Sequence, residues 1–153
     1  MAANTKKLMT LCMIVEPPRI LLAMKKRGFG KGKWNGYGGK VQAGESIEDA
    51  AKRETYEEAG ITITDMEFRG INEFEFRGDP VILEVHVFYV AKFEGTPVET
   101  EEMSPQWFDL DQLPYKDMWK DDPLWLPIFL AGKRFKGRYL FDENENILEY
   151  SVK

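Results

Sequence analysis

Glu54, Glu57 and Glu58 stand at i, i+3 and i+4, a spacing that gathers three carboxylates on one face wherever the segment is helical. Such like-charge neighbours cost an isolated helix about 0.2–0.5 kcal/mol per pair, a penalty that a bound hard cation reverses. An all-oxygen donor set favours Mg²⁺ or Mn²⁺ over zinc. An acidic solvated helix face with Lys52 and Arg53 as counterions has the same composition, and the three residues alone leave both readings open.

The segment before them carries the opposite sign. Between Lys25 and Lys40 there are six basic residues, six glycines and no acid. Glycine lets backbone amides approach an anion closely while Lys and Arg supply attraction, which suits a polyphosphate; a flexible solvated loop has the same composition. The stretch matches neither a Walker A loop nor the G-x-G-x-x-G fingerprint, so neither P-loop nor Rossmann chemistry is expected.

Positioning these groups requires a strand-rich scaffold. Apolar runs over residues 8–15 and 19–26, split by Pro17-Pro18, predict two strands with a tight connection. From Ser46 to Ala59 the pattern predicts a helix, with Ser46 and Asp49 resembling a capping box and Gly60 at C′. Further strands are expected at Glu67–Arg77, Ile82–Phe93, Gln106–Asp109, Phe135–Phe141 and Ile147–Val152, and a second helix over about Trp119–Lys133, kinked or shortened at Pro127. Without repeats or low-complexity tracts, residues 1–153 read as one mixed α/β domain.

Composition narrows the partners. With 21 Lys and Arg against 26 Asp and Glu, the net charge of −5 is a poor footprint for gripping a nucleic acid polymer, while small charged molecules remain suitable. No run approaches the roughly 20 apolar residues of a membrane span, and the first apolar run stops at Glu16-Pro17-Pro18 without a signal-peptide cleavage site. Cys12, inside that run, reads as a buried structural thiol in a reducing compartment. The expectation is a monomer in the cytoplasm, with mitochondria and nucleus as further compartments.

Gly39-x₅-Glu45-x₇-Arg53-Glu54-Thr55-Tyr56-Glu57-Glu58-Ala59-Gly60-Ile61 resembles the Nudix box, G-x₅-E-x₇-R-E-U-x-E-E-x-G-U with U a bulky aliphatic residue. All the fixed letters are present, a match expected by chance roughly once in 10⁸–10⁹ starting positions. Thr55 departs from the aliphatic pattern, though its methyl can pack. The resemblance implies an α/β/α sandwich, with a mixed β-sheet between helices, that holds divalent metal against a diphosphate linkage. It makes Glu54, Glu57 and Glu58 metal ligands along with the Gly38 carbonyl, Glu102 an outer carboxylate, and Glu45 and Arg53 braces of the loop and helix. It also implies attack of water at the β-phosphorus; a glutamate bound directly to metal is a poor free base, which leaves Glu58 or Glu102 as candidates to take the proton through a water.

Outside the box, Lys25-Lys26-Arg27-Gly28-Phe29-Gly30, Gly32-x-Trp34-Asn35-Gly36-x-Gly38-Gly39-Lys40-Val41-Gln42 and Lys116-Asp117-Met118-Trp119-x-Asp121-Asp122 are similar to family members that hydrolyse oxidised purine nucleoside triphosphates, 8-oxo-dGTP and 2-hydroxy-dATP. The activity so implied yields monophosphate and pyrophosphate and sanitises the nucleotide pool. Chemically, Phe29, Phe74, Trp119 and Trp125 offer flat surfaces for a purine, unless they are core, and Asn35 both donates and accepts. Asp121 and Asp122, crowded against aromatic walls, disfavour double ionisation; a protonated member donates where an ionised one accepts. The bland reading of that pair is a Pro-preceding helix start. By analogy with the family, Thr10, Lys25, Leu83 and Met103 line the same cleft. His86 reads as a strand residue without a catalytic role. Hydrolysis of another nucleoside diphosphate derivative, such as ADP-ribose or a dinucleoside polyphosphate, and a non-catalytic nucleotide sensor are the competing functions.

Overall fold

The computed structural model describes residues 5–153. Its strands are β1 (Thr5–Glu16), β2 (Arg19–Lys25), β3 (Trp34–Asn35), β4 (Thr62–Phe76), β5 (Val81–Glu94), β6 (Met103–Asp109), β7 (Phe135–Phe141) and β8 (Ile147–Val152); the helices are α1 (Ile47–Ala59) and α2 (Asp122–Leu130). They form one mixed sheet in the order β3-β2-β1-β5-β4-β7-β8, with β6 paired to β2. β1 runs parallel to β5 and β4 parallel to β7, whereas the other pairings are antiparallel.

Both faces of the sheet are covered, and the period of two explains how. Cys12, Ile14, Leu21 and Ala23 face the α1 side with Ala51, Ala59 and Ile61; Met13, Val15, Ile20 and Leu22 face the α2 side with Trp125, Leu126 and Phe129. This is the expected α/β/α sandwich. Where the sheet departs from regularity it prepares a site. β1 pairs with β2 only from Ile14 to Glu16, then the strands diverge. Residues 37–40 enter the gap, with Cys12 N–H donating to Tyr37 C=O at 2.6 Å and Thr10 N–H to Gly39 C=O at 2.9 Å.

α1 follows its sequence signals. Ser46 Oγ accepts from Asp49 N–H at 3.1 Å, and Gly60 closes the helix in the left-handed region at φ 73°. Ser46→Ala is expected to cost about 1 kcal/mol and to lower Tm by about 2–4 °C in a thermal melt at neutral pH, without altering substrate preference. Thr55 is fully buried and its hydroxyl donates to Ala51 C=O at 2.8 Å, so a threonine satisfies the position where the box asks for an aliphatic side chain.

Several boundaries differ from expectation. β4 starts at Thr62 rather than Glu67 and β6 at Met103 rather than Gln106, because ladder pairing to β5 and β2 extends segments whose own patterns are weak. The two-residue β3 has too little sequence for a periodic signal. α2 covers only Asp122–Leu130, not Trp119–Lys133: Pro123 sits at its start, and the helix ends three residues after Pro127. Trp119 and Asp121 therefore lie on the connection into the helix. No helix among the described residues is long and apolar enough to cross a membrane.

Candidate active site

A cavity of about 270 Å³ opens where β1 and β2 part, between the Gly36–Gly39 strip, the α2 start and the ends of β4 and β5. Thr10, Lys25, Phe29, Asn35, Phe74, Leu83, Met103, Trp119, Asp121, Asp122 and Trp125 all line it, so the residues expected around a substrate share one wall system. Gly38 and Glu58 line it too, at the end nearest α1. Of the buried polar side chains Thr10, Thr55, Glu58, Asn72, Asp121 and Asp122, all but Thr55 belong to this cavity. Burying polar groups is unfavourable unless they are partnered, so their concentration in one place marks a site rather than a core.

The acidic end is built on α1. Glu58 is 7% exposed and its Oε1 accepts from Gly38 N–H at 3.0 Å. Burial pushes its carboxyl up to about 7, with the Gly38 N–H opposing the shift and the Glu54 charge adding to it. The Glu54 carboxylate lies against Gly39: a Cβ there would come 2.5 Å from its Cδ. Arg53 organises the surroundings, donating to Glu45 at 2.7 and 3.0 Å, to Lys40 C=O at 3.1 Å, to Glu54 at 2.9 Å and to Glu57 at 3.3 Å. Arg53 in turn holds the Glu45 carboxyl below the usual range.

The gathering of three carboxylates expected from their spacing is looser than that spacing suggests. Among the described residues no three His, Cys, Asp or Glu side chains converge into a metal cage. Arg53 draws Glu54 and Glu57 towards itself, and Glu57 is largely exposed. Glu102 pairs with Arg27 at 2.6 Å and Lys25 at 3.2 Å, which lowers its carboxyl, and it stays outside the cavity wall. The donors nonetheless suit a hard divalent cation: oxygen alone, two carboxylates against consecutive glycines, and one of them held where ionisation is unfavourable without a positive neighbour.

Glycine at position 38 is a requirement of close approach, since any Cβ would collide with the Thr10 carbonyl. Gly38→Ala is expected to cost about 1–3 kcal/mol and, by displacing the strip that holds Glu58, to lower kcat at least about tenfold; paired melting and turnover measurements check both.

The apolar end is aromatic. Phe29 and Trp119 lie 5.1 Å apart between centroids, with Phe29 64% exposed and also edge-on to Phe76. Lys33 Nζ sits 5.1 Å from the Trp119 ring centre. Phe74 stacks on Tyr139 at 5.2 Å. Trp125 lines the cavity from within the core: it is 1% exposed and stacked on Phe135, and its Nε1 donates to Asp121 Oδ2 at 2.7 Å. Its indole therefore holds an aspartate in place. Asn35 Oδ1 accepts from Gly36 N–H at 2.8 Å, which fixes the amide plane.

Asp121 and Asp122 are 2% and 3% exposed. Neither carboxylate caps α2, so the bland reading as a helix start does not account for them. Desolvation raises both carboxyls, and for Asp122 the charge of Asp121 adds to it, so the pair retains a proton well above the ordinary carboxylate range. Asp121 Oδ1 and Asp122 Oδ2 have no hydrogen-bond partner among the described residues. Sequence reasoning missed Asn72 and Phe76, which also line the cavity. The available signal was alternation: Gly70, Asn72, Phe74 and Phe76 share one face of β4, and an amide among them breaks the apolar pattern.

Similarity to known proteins agrees with this geometry. The solved structure of the MutT mutator protein from Bacillus halodurans superposes with a TM-score of 0.84 at 26% identity, covering 96% of this chain and 97% of that one. The oxidized purine nucleoside triphosphate hydrolase of Mus musculus is 50% identical over 150 residues, 98% of this chain and 96% of that protein. The protein of the same name from Danio rerio is 51% identical over 148 residues, 97% and 95% of the two chains. The NUDIX domain family model matches residues 6–129, and with the box intact on α1 beneath the cavity, this chain belongs to the Nudix hydrolase family.

Proposed function

We propose that this Nudix hydrolase cleaves oxidised purine nucleoside triphosphates, 8-oxo-dGTP and 2-hydroxy-dATP, to monophosphate and pyrophosphate, and so clears damaged bases from the nucleotide pool. The observation that carries the reading is the buried Asp121–Asp122 pair, unpartnered on two oxygens, in a cavity that runs from an aromatic rim to the Gly38–Glu58 contact. The relatives in mouse and zebrafish, whose names specify oxidised purine triphosphates, support it across nearly the whole chain.

Nudix hydrolases use divalent metal. Glu54, Glu57 and Glu58 with the Gly38 carbonyl, and Glu102 as an outer carboxylate, would hold Mg²⁺ or Mn²⁺, which when bound neutralises phosphate charge and acidifies the attacking water. The chain's own residues do the rest. Lys25 and the basic loop draw the triphosphate in; Phe29, Phe74 and Trp119 stack the base; Asn35 and the aspartate pair read its edge, one aspartate accepting and the other donating. Glu58, whose Oε1 accepts from Gly38 N–H, is our choice to accept the proton of the attacking water. Water adds at the β-phosphorus, the bond from that phosphorus to the bridging oxygen breaks, and the monophosphate departs.

A free nucleotide, handled by a single-domain monomer, suits an acidic molecule that places six of its 21 basic residues, and no acid, between Lys25 and Lys40. The decisive measurement is kcat/KM across 8-oxo-dGTP, 2-hydroxy-dATP, dGTP, dATP, ADP-ribose and a dinucleoside polyphosphate, with ¹⁸O water. Oxidised bases ranking first, with label in pyrophosphate, is the expected result. Preference for ADP-ribose or the dinucleotide, or metal-dependent binding without turnover, would overturn it.

A further inference from the structure

Asn72 sits on β4 in register with Val85 of β5 and Gly137 of β7, and is 1% exposed. The Tyr139 hydroxyl donates to its Oδ1 at 3.0 Å. A Cβ at position 137 would collide with both of those atoms, so the glycine there makes room for the pair. Asn72 Nδ2, by contrast, has no acceptor among the described residues. Around it the cavity wall is apolar, with Phe74, Leu83 and Val85. A buried amide whose N–H groups are unmet costs more than a leucine of similar size at that point, and packing gains nothing from it.

The same cavity holds two other unpartnered buried atoms, Asp121 Oδ1 and Asp122 Oδ2. The aspartates together can offer an acceptor and a donor; the Asn72 N–H group only donates. Resting on the reading that a purine base occupies this cavity, we infer that Asn72 is a specificity-determining residue whose Nδ2, oriented by Tyr139, donates to an acceptor atom on the base. A base lacking that acceptor leaves the amide buried and unpaired, and is rejected for that reason.

The test is a cycle between protein and ligand. Dissociation constants are measured by tryptophan fluorescence for 8-oxo-dGMP, for its 3-deaza analogue, which lacks the N3 acceptor, for its 6-deoxo analogue, which lacks O6 while N1 turns from donor to acceptor, and for dGMP, which lacks O8 while N7 turns from donor to acceptor. They are compared for the unaltered protein, Tyr139→Phe, and the double variant Asn72→Leu/Tyr139→Phe, which replaces both partners by apolar groups of similar shape. The expected result is that one analogue binds the unaltered protein about tenfold or more weakly, and that this loss shrinks to about twofold in the double variant while the losses for the others persist. Equal weakening of every ligand, or no change, would overturn the assignment and leave Asn72 with a structural role. If the double variant does not fold, Tyr139→Phe decides: a smaller loss of discrimination confined to one analogue supports it, and a uniform change overturns it. Equal affinity of the unaltered protein for 8-oxo-dGMP and dGMP would remove the oxidised-purine reading, while the 3-deaza and 6-deoxo arms still decide the role of Asn72.

Discussion

Glu58→Gln, assayed with saturating Mg²⁺, is expected to lower kcat by about 10²–10⁴-fold with little change in KM. The substitution keeps an acceptor for Gly38 N–H, so the 3.0 Å contact that seats the strip on α1 survives and the fold is unperturbed. What disappears is the negative charge. Since burial already disfavours that charge, the melting temperature of the variant at neutral pH should equal or exceed that of the unaltered protein. Loss of turnover without loss of stability separates a role in the reaction from a role in packing. Glu57→Gln supplies the second arm: its carboxylate is exposed and borrows Arg53 only at 3.3 Å, so any large effect on turnover reports chemistry rather than architecture. Near-normal turnover in both variants would remove the metal-ligand assignment, and Mn²⁺ affinity followed by water-proton relaxation should fall in step with kcat.

Much of this was legible in the sequence because the box fixes both residue types and a helical phase. Ser46 and Gly60 punctuate α1 by local chemistry alone, so its ends needed no tertiary information. The continuous apolar runs of β1 and β2 likewise fit a sheet buried on both faces. The aspartate pair was readable as a coupled acid from two adjacent carboxylates beside tryptophans, although a helix start with Asp at the positive end of the dipole matched the same residues.

The remainder depended on contacts far apart in the chain. Arg53 lies beside Glu54 in sequence, but only the loop returning through Glu45 and Lys40 shows that it binds Glu45, Glu54, Glu57 and the Lys40 carbonyl together. Trp125 read as either a stacking surface or core; its burial against Phe135, ten residues on, and its hydrogen bond to Asp121 appear only in the fold. Asn72 and Tyr139 are 67 residues apart and meet only through the parallel pairing of β4 with β7. No local pattern reports a partner at that distance.

Asp122→Asn and Asp121→Asn are expected to reduce kcat/KM for 8-oxo-dGTP by about 10²-fold while leaving that for dGTP within about threefold. An amide keeps one donor and one acceptor but cannot exchange a proton with its neighbour, so the pair loses the ability to present either polarity to an altered base edge. The pH dependence gives the sign. Desolvation and mutual repulsion raise both carboxyls in the folded protein, with the Tyr139 and Tyr115 hydroxyls the other titratable groups beside them. As pH rises from about 4, the unfolded chain therefore releases its protons first and the native state holds more of them, so stability falls with rising pH across that window. Asp122→Asn removes much of that slope, and the difference in Tm between pH 5 and pH 8 should shrink. Activity follows the same proton from the other side: once the pair is fully ionised, the donor to the base is gone and kcat/KM for the oxidised substrate declines on the alkaline limb, a decline that the asparagine variants should lack. A variant that kept both the oxidised-base preference and the alkaline decline would show that another group carries the proton, and the aspartates would then be left without a function to explain their burial.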